Sequence, residues 1–270
     1  MIISCANQKG GTGKTSTTAL VAYELAKKGK KILLIDCDPQ TNLTQLMTKT
    51  AAAKDELLII DHTLFGMLIK NIPLEKGIKP VMDNLDFIPA ASDLNMFSRW
   101  LDKQKLTEKE KVTYLYNHIA PLENKYDLIF LDVSPTMSLL NDNVFMTCDY
   151  IVIMLQTQER SLNGARDFIW YLQSNLINQF HAKVNIVGVL PVLSKRGGSV
   201  DNEILAQAAY DLGDENIFKH KIMQMERVKR YDLTGITDVE KNRWDKETHE
   251  AYTQVAEEML ERINNGTFES

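Results

Sequence analysis

Lys9-Gly10-Gly11-Thr12-Gly13-Lys14-Thr15 follows directly on an apolar run (1–6) and leads into a helix-length stretch (15–28). Glycines in such a loop let successive N–H groups turn inward on one point, as phosphate oxygens require. A helix starting near Lys14 aims the positive end of its dipole at the same point. In a phosphate loop of the Gly-Lys-Thr form the lysine reaches the β- and γ-phosphates, and the next hydroxyl holds Mg²⁺. Lys14 and Thr15 take those two tasks, and Ser16 completes the cofactor-binding set from Lys9 to Ser16. A plain strand-to-helix turn would need neither the lysine nor three glycines.

The rest of the chain agrees with this placement. Short apolar runs at 1–6, 31–36, 85–89, 128–132, 150–155 and 184–190 are leucine-rich or β-branched and lack strict alternation. Strands covered on both faces have this pattern, which implies a parallel sheet. Helix-length stretches at 15–28, 64–69, 109–123, 162–179, 200–212 and 246–263 separate them. The expected fold is therefore α/β: a doubly wound, mostly parallel sheet with helices on both faces, of the P-loop NTPase class. No repeat, low-complexity segment or linker divides the sequence, so one domain over 1–270 is expected.

Ligands of open α/β sheets bind at the carboxyl ends of strands. The second run ends in Asp36-Cys37-Asp38-Pro39-Gln40, and a later one in Asp132-Val133-Ser134-Pro135. Asp132 fits the Walker B role, because Mg²⁺ keeps several waters and favours carboxylate partners. A strand-end aspartate also serves as a turn former or helix cap, and that bland alternative stands beside the functional one for Asp36 and Asp38.

With 270 residues, 44% hydrophobic and 25% charged, the chain has an ordinary globular composition. No apolar run approaches the ~20 residues of a membrane span. The first six residues lack the features of a signal peptide, so a cytoplasmic protein is expected. Cys5, Cys37 and Cys148 are too widely spaced for a zinc or redox site, and each sits beside an apolar run, as buried thiols do. The net charge of −5 confines any nucleic-acid contact to a local patch. Two basic islands exist: Lys195-Arg196, and 219–230 with Lys219, Lys221, Arg227, Lys229 and Arg230 against Glu226. Such islands are often no more than solvated faces.

The loop departs from the general P-loop pattern: Gln8 replaces the first glycine and Lys9 precedes the glycine pair. In this form it resembles the deviant Walker A motif of the ParA/MinD family. The Asp36-x-Asp38-Pro-Gln segment is also similar to that family's. The resemblance covers nearly the whole chain, strongly to about residue 165 and loosely after it. It implies ATP with Mg²⁺ as cofactors and an ATP-sandwiched homodimer, in which Lys9 reaches the nucleotide of the other subunit. It also implies that Asp38 orients the attacking water, with Lys9, Lys14 and Asp38 as the catalytic set. Thr15, Asp36 and Asp132 would then serve the metal. Family members commonly carry two prolines where this chain has Ser134-Pro135, and Asn141 is read as a structural residue beside that loop. Ile222-Met223-Gln224-Met225-Glu226-Arg227 stands where the family has Ile-Pro-Arg-Asn-x-Arg.

By the same resemblance, Lys195, Arg196, Arg227, Lys229 and Arg230 are candidate contacts to duplex DNA, bound without sequence preference. The implied partner is a ParB-like centromere-binding protein, the implied role is plasmid or chromosome partition, and the implied location is the nucleoid. A MinD-like membrane-cycling regulator is the alternative. Against it, the last helix (246–263) carries Glu247, Glu250, Glu257, Glu258 and Glu261, which an anionic leaflet repels. That helix is expected to pack on the domain. A nitrogenase-type reductase would need two cysteines around a shared cluster, and only Cys148 lies near a strand end.

Overall fold

The computed structural model of the chain describes residues 1–194, 199–239 and 242–266. Eight strands form one sheet: β1 (Ile2–Ala6), β2 (Ile32–Cys37), β3 (Lys79–Met82), β4 (Leu85–Ile88), β5 (Leu128–Val133), β6 (Tyr150–Gln156), β7 (Asn185–Ser194) and β8 (Ile222–Met223). Their order is β3-β4-β2-β5-β1-β6-β7-β8, and every pair is parallel except β3 with β4. The doubly wound, mostly parallel α/β fold is thus present.

Burial explains the missing alternation in the sequence. All residues of β1, β2 and β5 are buried. Successive side chains point to opposite faces, so each strand feeds two cores. Leu33, Ile35, Ile129 and Leu131 join one apolar cluster, while Ile32, Leu34, Leu128 and Phe130 join the other.

The principal helices are α1 (Lys14–Lys27), α2 (Asn42–Ala52), α3 (Leu139–Thr147), α4 (Glu159–Tyr171), α5 (Ser199–Leu212), α6 (Glu226–Thr234) and α7 (Arg243–Asn265). Residues of α1, α2 and α7 cover one face of the sheet, and those of α3 and α4 cover the other.

The two strands that the sequence pattern misses, β3 and β8, are short edge elements of four and two residues. The helix expected over 109–123 is broken. Thr113 takes a non-helical φ of −104° between two short helices, and Pro121 opens a 3₁₀ turn at Ala120–Lys125. Helix α4 runs on through a π segment, Leu172–Ile177, and stops where His181 adopts a φ of 59°.

Three features of this frame place the site. Strand β1 lies centrally between β5 and β6, whereas the next strand in sequence, β2, lies beyond β5. The chain direction switches there, opening a crevice at the carboxyl end of β1. The β2–β5 register sets Asp36 directly beside Asp132.

Candidate functional site: a phosphate loop ringed by carboxylates

The loop after β1 is tied down before it reaches its glycines. Asn7 donates from Nδ2 to the Met154 carbonyl of β6 at 2.5 Å and accepts the Lys9 N–H at 2.8 Å. Gly11 and Gly13 then take φ values of 74° and 73°, where a Cβ would be strained. Gly13 stands as the N-cap of α1 with no side-chain cap on that helix end. The first N–H groups of α1 thus face the loop concavity, as an anion site requires.

Lys14 is buried, and its Nζ donates to the Lys9 carbonyl at 3.2 Å, folding back over the loop. Burial lowers its pKa, against the attraction of Asp132 and Asp38. The Thr15 hydroxyl donates to Asp132 Oδ2 at 2.8 Å. Asp132 Oδ1 is buried without a hydrogen-bond partner among the described residues. Burial pushes the Asp132 carboxyl well above its usual range, and the neighbouring Asp36 and Asp38 add to the rise. A buried carboxylate oxygen with no donor is costly. A cation there, shared with the Thr15 hydroxyl, would remove that cost, so these residues fit a magnesium ion. No three His, Cys, Asp or Glu side chains among the described residues gather closely enough to hold an ion by themselves. Phosphate oxygens and water would have to complete its shell, which is how Mg²⁺ is commonly held.

Asp36 and Asp38 differ. Asp36 Oδ2 accepts from the Thr44 N–H at 2.8 Å and the Thr44 hydroxyl at 2.6 Å, and Oδ1 accepts from the Asp38 N–H at 3.0 Å. Burial raises its pKa to about 6. Both of its oxygens join β2 to α2, the turn-forming role that a strand-end aspartate can take. Asp38 is also buried, and its Oδ1 accepts the Gln40 N–H at 2.9 Å.

The loop after β5 is clasped by Asn141, as its structural reading anticipates. Its Nδ2 donates to the Ser134 carbonyl at 2.8 Å, and its Oδ1 accepts from the Ser134 hydroxyl at 3.2 Å. Ser138 caps α3 by accepting the Asn141 N–H. The hydroxyl at 134 thus supplies a link that a proline there could not make. A small pocket between this loop and the phosphate loop is lined by Asn7, Gln8, Ser134, Pro135, Thr136 and Met137, among others.

The DNA candidates divide. Lys195 and Arg196 lie outside the described residues. Arg227, on α6, turns inward: its Nε pairs with Asp245 Oδ1 and its second guanidinium nitrogen donates to Thr237 Oγ1 at 2.8 Å. Asp245 is fully buried at 0% exposure and also accepts from the Tyr231 hydroxyl at 2.8 Å. Arg227 therefore pins α6 to α7 and does not present a free cation. Lys229 is exposed and pairs with Glu226, and Arg230 is exposed on the same helix.

All three cysteines are buried free thiols; contrary to the sequence expectation, Cys37 ends β2 and Cys5 lies one residue from the end of β1, whereas Cys148 follows α3. Helix α7 buries Tyr252, Val255, Met259 and Ile263 against the core that α1 shares, so it is packed on the domain. No helix of the described residues is long and apolar enough to cross a membrane.

A family model described as an AAA domain matches residues 1–186. The chain is 28% identical to the chromosome-partitioning ATPase Soj of Thermus thermophilus over 261 residues, 97% of this chain and 96% of Soj. The structure of apo McdA from Cyanothece superposes with a TM-score of 0.81 at 20% identity, covering 97% of this chain and 98% of McdA. Cobyrinic acid a,c-diamide synthase from Mycobacterium smegmatis, solved with a bound ATP analogue and magnesium, gives 0.79 at 20% identity over 100% and 99% of the two chains. At such identities these likenesses speak for the fold, which carries more than one chemistry.

Proposed function

The chain belongs to the ParA family of partition ATPases, and on that premise we propose that it is an ATP-driven switch for plasmid or chromosome partition. One observation carries the nucleotide reading: the buried, donor-less Asp132 Oδ1 beside Thr15, at the mouth of a glycine loop crossed by Lys14. ATP is the cofactor, with its phosphates in the loop from Lys9 to Ser16 and Mg²⁺ held through Thr15 and Asp132. A bound magnesium ion neutralises charge on the phosphates and screens the acids around them.

The residues of the chain then divide the work. Lys14 sits where β- and γ-phosphate oxygens would replace the Lys9 carbonyl as its acceptor. Asp38, close enough to Lys14 to bias its charge, orients the attacking water. Asp36 keeps the β2–α2 turn in place behind it. Lys9 is delivered to the nucleotide of a second subunit, where its charge would stabilise the transferring phosphoryl group. Gly10 supports such an approach: a Cβ there would meet only Pro135 of its own chain, at an ordinary 3.8 Å. Nothing among the described residues therefore demands glycine at position 10.

The ATP-bound homodimer binds duplex DNA without sequence preference, through Lys229, Arg230, Lys195 and Arg196, doubled by the dimer axis. A ParB-like partner stimulates hydrolysis and resets the cycle at the nucleoid. The packed, glutamate-rich α7 disfavours membrane cycling.

Light scattering with ATP, ADP and no nucleotide tests this reading. Wild type should dimerise with ATP alone, Asp38→Ala should accumulate as an ATP-bound dimer, and Lys9→Gln should stay monomeric. Equal masses in all three nucleotide states would overturn it.

A further inference from the structure

Lys9 does not extend into solvent in the isolated subunit. Its Nζ donates to Gln156 Oε1 at 3.1 Å and to Gln158 Oε1 at 2.5 Å, across 147 and 149 positions of sequence. Both acceptors lie in the turn from β6 into α4, and that turn is built to hold them. The Gln158 N–H donates to the Gln156 carbonyl at 2.6 Å, the Ser161 hydroxyl accepts the Gln156 N–H at 3.1 Å, and the buried Thr157 donates to Asp201 of α5 at 2.8 Å. The Asn7 bridge to β6 fixes the Lys9 backbone against the same strand. Backbone and ammonium of Lys9 are therefore both referenced to one end of β6.

We propose that Gln156 and Gln158 are positioning residues that hold the Lys9 ammonium within its own subunit until ATP-driven dimerisation releases it. This rests on the reading of Lys9 as the lysine delivered to the other subunit's nucleotide. The chemistry of the acceptors suits a releasable hold. Two amide oxygens satisfy an ammonium without neutralising it, so its charge stays available to a triphosphate. A carboxylate at 158 would form an ion pair instead, adding an attraction between opposite charges that the neutral amide lacks. Leaving the glutamines for phosphate oxygens then favours the dimer. The pair also keeps the long side chain from masking the glycine tip at which two subunits would meet.

Two variants separate the hold from a contact across the interface. Gln158→Ala removes the nearer acceptor and should tighten ATP-dependent dimerisation, by about fivefold for one charge-assisted bond at an exposed site. Gln158→Glu should weaken dimerisation by a similar factor, and the defect should shrink as salt is raised. A readout without dimerisation accompanies these: the acylation rate of Lys9 in nucleotide-free monomer, followed by mass spectrometry, should rise in Gln158→Ala and rise further in Gln156→Ala/Gln158→Ala. Unchanged Lys9 reactivity, or weaker dimerisation in Gln158→Ala than in wild type, would overturn the hold. Failure of the underlying reading looks different: Lys9→Gln itself would then dimerise with ATP as well as wild type.

Discussion

Arg227→Ala distinguishes a DNA contact from an internal clamp, because the sequence and the structure give this residue opposite tasks. The guanidinium is 16% exposed and faces Asp245, which is at 0%. Removing one partner of a buried pair typically costs about 3–5 kcal/mol, since the other charge is left uncompensated. Here Asp245 keeps the Tyr231 hydroxyl at 2.8 Å and the Val239 N–H at 3.1 Å, so the expected loss is smaller, about 2–3 kcal/mol. Stacking on the Tyr231 ring, 5.2 Å from its centroid, goes with it and belongs within the same range. For a chain of this size that is a fall in Tm of about 4–6 °C. Thermal and urea unfolding read it. Burial alone would raise the Asp245 pKa, but the hydrogen bonds from Arg227 and Tyr231 hold it below the usual range. A depressed carboxylate stabilises the fold above its unfolded pKa, and that stability is lost as pH falls through the folded value. The gap between wild type and Arg227→Ala should therefore be full at neutral pH and close below about pH 4. Lys229→Ala and Arg230→Ala should leave unfolding unchanged within about 0.5 kcal/mol. Wild-type stability in Arg227→Ala, together with weakened DNA binding, would refute the clamp and restore the phosphate contact.

Gly13→Ala should lower nucleotide affinity sharply and cost about 1–2 kcal/mol of stability, because φ is 73° there and the added Cβ meets no atom within 4 Å; a wild-type nucleotide titration would remove the strain reasoning. Asp132→Asn should make the nucleotide-free protein more stable yet abolish the Tm gain from Mg-ATP. The pKa values of Asp36 and Asp132 are raised in the fold, so nucleotide-free stability should fall from about pH 4 upward through pH 6; the slope should flatten in Asp132→Asn. The buried His249 pairs with Glu24, and although burial opposes its charge, Glu24 and the Thr237 carbonyl raise its pKa overall. Its contribution should be full below about pH 6.5 and fade as pH rises through the raised value. His249→Gln should erase that fade in urea midpoints taken from pH 6 upward.

What could be read from the sequence was local chemistry. The phosphate loop, its strand and its helix lie within 28 consecutive residues, and α1 begins at Lys14 where the loop ends. The parallel sheet was legible because strands buried on two faces leave unalternated apolar runs. Short edge strands have no such run, so β3 and β8 were silent. Helix α6 starts inside the basic segment 219–230, whose five cations in twelve residues mask a helical pattern. The inward turn of Arg227 depends on Asp245, 18 positions later on a different helix. Likewise, only the fold shows that Thr44 occupies Asp36 and that Gln156 and Gln158 occupy Lys9. Such pairings are tertiary, and no spacing in the chain announces them. Gln158 carries a weak signal at most, as a polar residue just past a buried strand.

Binding to random-sequence duplex DNA, measured with ATP, with ADP and without nucleotide across a salt series, tests the partition switch most directly. Binding with ATP alone, falling steeply as salt rises, is the expected result, because a dimer must assemble the cationic face before phosphates can be neutralised. Equal binding in all three states, or none in any, would contradict a nucleotide-gated DNA site and leave an ATPase with some other target.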